Sequence, residues 1–297
     1  MMNKKQIWEV SHRTLRAFAP HYQPHLDATA KKFDLDPPTW YPLIPAHTFM
    51  PDPISVERLR VRSPYSSPRY YEEPILSLYE RGFLVESPLG GYTLTAEGDE
   101  AVNSITESAY ESMQAIPVLG ESVMQSLAYS LGRLVQACMI YGEPISRWSI
   151  IYSRRLDEAP MDAYSAKIDQ YLSDLAAFRD DAHLASWKSY NVSGHAWDIL
   201  TSVWKDGPMS IDKVSDQLSR RRWSKAETEK AAEELRNRGW IEGSANLSIA
   251  EKGKYIREES EALTDKYFFS PWSAGADRDL ETISKLLPQL TDLLLGE

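Results

Sequence analysis

The chain has one cysteine in 297 residues, which excludes a disulfide framework; Cys138 sits among Leu134, Val135 and Met139 and reads as a small buried hydrophobe. It lacks an apolar run long enough to span a bilayer, its most apolar later stretch being broken by Gly142, Glu143 and Pro144. The opening Met1-Met2-Asn3-Lys4-Lys5 leads into a Trp8, Glu9, His12 pattern without the apolar segment of a secretory leader, so a cytoplasmic protein without a membrane partner is expected. There is no glycine-rich phosphate loop, no nucleophile elbow, no paired cysteine ligands and no zinc-binding helix motif. No catalytic residue, metal or cofactor is therefore expected. The one carboxylate-histidine group, Asp180, Asp181 and His183, reads as an acidic helical N-terminal turn beside a buried histidine. Positive charge is also short. Lys and Arg number 33 against 43 Asp and Glu, giving a net charge of −10, and both halves of the chain are acidic. Binding to nucleic acid is driven largely by phosphate neutralisation, so a nucleic-acid partner would require locally concentrated cations.

What the chain does contain is an internal echo. Pro53-Ile54-Ser55-Val56-Glu57-Arg58-Leu59 recurs as Pro208-Met209-Ser210-Ile211-Asp212-Lys213-Val214, and Arg81-Gly82-Phe83-Leu84-Val85 as Arg238-Gly239-Trp240-Ile241-Glu242. Leu94-Thr95-Ala96-Glu97-Gly98 returns as Ile249-Ala250-Glu251-Lys252-Gly253, at a spacing near 155 residues throughout. A period this long implies a duplicated domain rather than a solenoid, whose units run to about 20 to 50 residues. The expected division is a first module over 1–145, a linker over 146–160 and a second module over 161–297.

Within the second module, apolar spacing predicts helices over 161–179, 182–190 and 195–205. Ser210 reads as the N-cap of a helix to Leu218, and Ser224 with Glu227 as a capping box opening a helix to Arg238, which Gly239 ends. Two short strands follow, around Gly243-Ser244-Ala245-Asn246. Helix, turn, helix and hairpin in that order describe a winged helix. The first module repeats the order, but Pro64, Pro68 and Pro74 predict a recognition helix that starts late, near Glu73. Each module then continues through a helix, a break at Pro117 or Pro271, and a last helix. The last helices carry matching seams, Met124, Leu127, Leu131, Leu134, Cys138 and Leu280, Ile283, Leu287, Leu290, Leu294, which predict that the two pack along each other. The fold class expected is mainly α with small β-hairpin wings, as two tandem winged-helix modules with flanking helices related by a pseudo-two-fold.

Through Gly207-Pro208-Met209-Ser210, Arg238-Gly239-Trp240-Ile241 and Ile249-Ala250-Glu251-Lys252-Gly253 the chain resembles the MarR-like winged-helix regulators. It is also similar to uncharacterised bacterial winged-helix proteins sharing the run Arg179-Asp180-Asp181-Ala182-His183 and the ending Thr264-Asp265 to Pro271-Trp272. The resemblance implies a non-enzymatic DNA-binding regulator in which two fused copies replace a homodimer, as a monomer or weak dimer. Its partners would be double-stranded DNA and a small aromatic effector. Phosphate contacts would come from Arg220, Arg221, Arg222, Lys225 and Lys230 in one module and from Arg58, Arg60, Arg62 and Arg69 in the other, with Tyr70 and Tyr71 near base edges. Both basic segments would have to lie on one face, about 34 to 36 Å apart. Neither wing carries the basic tip usual in that family. An effector pocket is expected around Trp187, Trp197, Trp272 and His183. The alternative is a winged-helix protein without DNA binding that serves as a protein-interaction or small-molecule-binding module.

Overall fold

The computed structural model describes residues 2–37, 39–116, 119–144, 146–156, 159–160, 162–274 and 277–296. The chain opens with α1 (Lys4–Lys32), α2 (Leu43–Phe49), α3 (Val56–Arg62) and α4 (Pro68–Glu80), followed by the hairpin β1 (Leu84–Glu86) and β2 (Tyr92–Leu94). Helices α5 (Ala96–Gln114) and α6 (Glu121–Ile140) come next, and the short α7 (Trp148–Ser153) follows. Then come α8 (Tyr164–Trp187) and α9 (Gly194–Asp206). Next come β3 (Met209–Ser210), α10 (Ile211–Gln217), α11 (Lys225–Asn237), β4 (Ile241–Glu242) and β5 (Asn246–Ile249). Helices α12 (Glu251–Phe269) and α13 (Asp277–Leu295) end the chain. The protein is mainly helical, with two small antiparallel sheets.

In the second module β5 pairs antiparallel with both β3 and β4, so the strand before α10 and the hairpin after α11 close into one sheet of order β3-β5-β4. In the first module Ile54 bridges Tyr92 of β2 and takes the place of β3. The echoed glycines have a packing reason. A Cβ on Gly98 would lie 2.1 Å from the Phe83 carbonyl oxygen, and one on Gly253 2.0 Å from that of Trp240. Only glycine lets α5 and α12 start flush against their hairpins.

Local capping chemistry sets several boundaries. The Ser210 side chain accepts from the Lys213 N–H, and Ser224 and Glu227 form a reciprocal capping box at α11. Gly239, in left-handed geometry at φ +70°, ends α11.

Two expectations require correction. The helices predicted over 161–179 and 182–190 are one continuous α8, followed by a 3₁₀ turn at Lys188–Tyr190; residue 161 lies outside the described residues. Nothing in Arg179-Asp180-Asp181-Ala182 breaks a helix, and Asp181 caps a different one, accepting from the Ser149 and Ile150 N–H groups of α7 at 2.8 and 3.0 Å. Helix α4 begins at Pro68, not near Glu73, because proline at the first helical position sacrifices no intrahelical bond.

The matching seams meet. Met124, Leu127, Leu131, Leu134 and Cys138 of α6 share one core with Leu280, Ile283, Leu287, Leu290 and Leu294 of α13, joined by Phe18 of α1 and Leu172, Leu175 and Phe178 of α8. Arg133 of α6 is ion-paired to Asp279 of α13 beside this core. Each winged helix keeps its own smaller core, around Trp197 and Trp240 in one and Trp40 and Phe83 in the other. The break expected at Pro117 falls outside the described residues; that at Pro271 is a 3₁₀ turn, Pro271–Ser273. The stretch read as a linker holds α7, which packs against α2, α3 and α8.

Candidate functional site

The positions expected to grip DNA are brought together, but against each other. The Ser67 N–H at the head of α4 donates to the Arg221 carbonyl at 2.9 Å, just ahead of α11. The Trp223 indole N–H donates to the Tyr65 carbonyl at 2.7 Å. Arg69 of α4 pairs with Glu227 of α11 at 2.7 Å, and Arg222 pairs with Glu73 of α4 at 3.3 Å. The recognition segments of the two modules are thus in direct contact through their N-terminal ends, where a spacing of about one helical turn of DNA was required.

Most of the candidate cations already have protein partners. Arg62 pairs with Asp180 at 2.8 Å, and Arg221 pairs with Asp198 at 3.1 Å while its guanidinium lies over the Tyr65 ring. Arg58 is held by Asp52 and by the Pro53 carbonyl, and Lys225 by Asp212. Arg60 reaches the groove beside α11, near Trp223 and Glu227. Arg220 and Lys230 are exposed. Tyr70 is exposed at the head of α4, whereas the Tyr71 hydroxyl donates back to the Ser63 carbonyl. Lys225, Glu229, Lys230 and Glu233 share the exposed side of α11, and Glu72, Glu73 and Glu80 are exposed on α4. Neither exposed surface is positive on balance.

The expected effector residues line none of the cavities described here and pack into the cores instead. Trp187 and Trp197 stack at 5.1 Å within the second module's core, while Trp272 lies in the central core against Phe268 and Phe269. His183 sits among Tyr65, Trp197 and Thr264, and burial pushes its pKa down to about 4. The guanidinium of Arg257, itself buried, covers Trp197 and Trp204. These side chains are core.

A cavity of about 460 Å³ opens elsewhere, between the first module and α8. Its walls are aromatic. Tyr22 comes from α1, Trp40 and Phe49 from around α2, Tyr110 from α5, and Trp148 and Tyr152 from α7. Phe49, Trp148 and Tyr152 pack as a cluster, with ring centroids 4.2 to 5.4 Å apart. The volume falls in the range of small-molecule sites, about 300 to 1,000 Å³.

Two carboxylates of α8, one behind the cavity wall and one on it, have opposite fortunes. Asp174 is fully buried but satisfied, by Arg154 at 3.0 Å, the Ser153 hydroxyl at 2.6 Å and Gln170 at 2.8 Å. Asp169 lines the cavity, and its Oδ1 is buried without a hydrogen-bond partner among the described residues. Burial, with Asp174 nearby, pushes its pKa up to about 7. Burial also raises the Tyr22 phenol across the cavity. Arg62 lines the same space from α3 with its guanidinium committed to Asp180.

The sequence pattern did not single out Asp169, because its cavity is assembled from five helices and from a stretch read as a linker. The available signal was a carboxylate, Asp169, between Ile168 and Leu172 in an otherwise apolar helical face.

Residues 175–296 match the Helix-turn-helix family, a span that runs from the middle of α8 to the end of α13 and contains the second winged helix. Comparison with curated proteins and with solved structures gives no match. Among the described residues no helix is long and apolar enough to cross a membrane. The second half of the chain carries a helix-turn-helix fold, matched as such by sequence and closed by its own three-stranded sheet.

Proposed function

We propose that the protein is a small-molecule sensor built from two fused winged-helix modules, with its ligand in the cavity beside α8. The observation that carries this reading is the Asp169 carboxyl. A buried polar atom without a partner costs about 1 to 3 kcal/mol, and here that cost falls on the wall of an aromatic cavity of ligand size. Two copies standing in for a MarR-like homodimer account for the shared core of α6 and α13.

A second reading, a DNA-binding regulator, is supported by the helix-turn-helix match and by the exposed Arg220 and Lys230. In it the contacts between α4 and α11 must open before either helix enters a groove, and the operator is asymmetric because the two segments differ. The cavity ligand is then the effector that shifts this equilibrium.

A thermal-shift screen of small aromatic metabolites tests the first reading. A ligand at a hundredfold excess over Kd stabilises the fold by about 2.7 kcal/mol, and Ala109→Phe, which fills the cavity, should erase the response. Failure of every compound to stabilise the protein, or full retention of the response in Ala109→Phe, sinks it. Salt-dependent binding to genomic fragments would establish the second reading; its absence from 50 to 200 mM salt would remove it.

A further inference from the structure

The cavity's chemistry favours one sign of ligand. Its lining carboxylate, Asp169, has a buried Oδ1 without a hydrogen-bond partner among the described residues, whereas the lining cation, Arg62, is taken up by Asp180. Aromatic rings present negative faces, and rings from four parts of the chain surround the space. Resting on the reading of this cavity as a ligand site, we propose that its ligand is an organic cation, an ammonium on an apolar or aromatic body, seated against Asp169 within the ring of Tyr22, Phe49, Trp148 and Tyr152.

The cation supplies what the apo cavity lacks. It satisfies the orphaned oxygen, holds the carboxyl ionised, and exchanges its hydration for aromatic faces, an interaction that strengthens when desolvated. An anion would meet Asp169 and the ring faces with the wrong sign. A neutral donor could bond to the carboxyl but would gain nothing from the rings' field.

The proposal predicts a pH dependence. Binding must draw Asp169 into its ionised form, so affinity rises with pH up to about 7 and then levels off. The titratable groups that line the cavity with Asp169 are Tyr22 of α1, Arg62 of α3, Tyr110 of α5 and Tyr152 of α7; Asp174 of α8 lies near it, paired with Arg154 just after α7. Arg62 and Arg154 are ion-paired, Asp174 is held by three side chains, and burial moves Tyr22 upward, away from neutrality. His47 of α2 is turned towards Asp99 of α5.

The test is isothermal titration calorimetry with three probes on one apolar body: 4-phenylbutylamine, 4-phenylbutanol and 4-phenylbutyrate. The amine should bind at least about tenfold more tightly than the alcohol at pH 8, and its affinity should fall about tenfold between pH 8 and pH 6. Asp169→Asn should lower amine affinity at least about tenfold, abolish its pH dependence and leave the alcohol unchanged. The pH series on the unaltered protein keeps the proposal testable should the variant fold poorly. Equal or tighter binding of the alcohol or the acid, or an amine affinity flat from pH 6 to pH 8, overturns the cation assignment while leaving the cavity a ligand site. No binding by any probe, with none in the metabolite screen, overturns the cavity reading itself.

Discussion

Replacing Asp169 by Asn in the ligand-free protein should change the pH dependence of stability. The carboxyl titrates near 7 in the folded protein and near 4 in an unfolded chain, a gap of about three units or about 4 kcal/mol between its two protonation states. The pKa is raised, so the sign is fixed. Below about pH 4 both states hold the proton and the carboxyl contributes no pH dependence. From about pH 4 to 7 the unfolded chain ionises while the folded one retains its proton, so stability is lost as pH rises, and above about 7 the loss is constant. Asn is blind to this. Its own unpaired amide costs about 1 to 3 kcal/mol at every pH, which displaces the curve without changing its slope.

Urea unfolding of parent and variant from pH 4.5 to 8.5 gives the difference directly. The variant should gain on the parent as pH rises, by about 1 to 3 kcal/mol once relaxation and water entry reduce the full value. His183 and His195 work in the opposite sense, since burial pushes both down to about 4. Their contribution is present above about pH 6.5 and lost as pH falls towards 4, equally in both proteins, and so cancels. A difference that stays flat within about 0.5 kcal/mol, or that shrinks as pH rises, would refute the claim that Asp169 is buried without compensation.

Three further outcomes follow from the packing. Gly194→Ala should lower Tm and increase protease cleavage in the loop before α4, because a Cβ there would stand 2.4 Å from the Pro64 carbonyl oxygen. Trp197→Ala should destabilise by about 3 to 5 kcal/mol in urea unfolding while a probe bound in the α8 cavity keeps its affinity, as expected of a core residue that lines no part of it. Arg69→Ala removes an exposed ion pair, so it should cost under about 1 kcal/mol yet speed hydrogen exchange at the first turns of α4 and α11.

The order of elements was legible because it is written in local chemistry. Ser210, the Ser224–Glu227 box and Gly239 mark helix ends by bonds made within a few residues, and the α6 and α13 seams are periodicities that any reader of the chain can count. What escaped depends on distant partners. Asp181 reads as the start of a helix until α7, more than thirty residues earlier, is seen to use it as a cap. Arg62, Arg69 and Arg222 read as cations available to phosphate, but their partners Asp180, Glu227 and Glu73 lie in the other module. Charge is visible in a sequence, and its neutralisation is not. The cavity escaped for the same reason, being a gap between six helices with no residue run of its own.

Cavity and clasp are joined through α3. Arg62 at its end lines the cavity and holds Asp180, while Arg60 one half-turn earlier reaches the groove beside α11. The ion pairs that hold α4 to α11 are exposed, and such pairs contribute about 0 to 1 kcal/mol each, with the Ser67 and Trp223 hydrogen bonds adding about 1 kcal/mol apiece. Their sum is a few kcal/mol, the same size as the free energy that a ligand at a hundredfold excess over Kd brings to the state it prefers. A ligand in this cavity therefore acts on a junction that it is strong enough to move only if it binds the open and closed forms unequally.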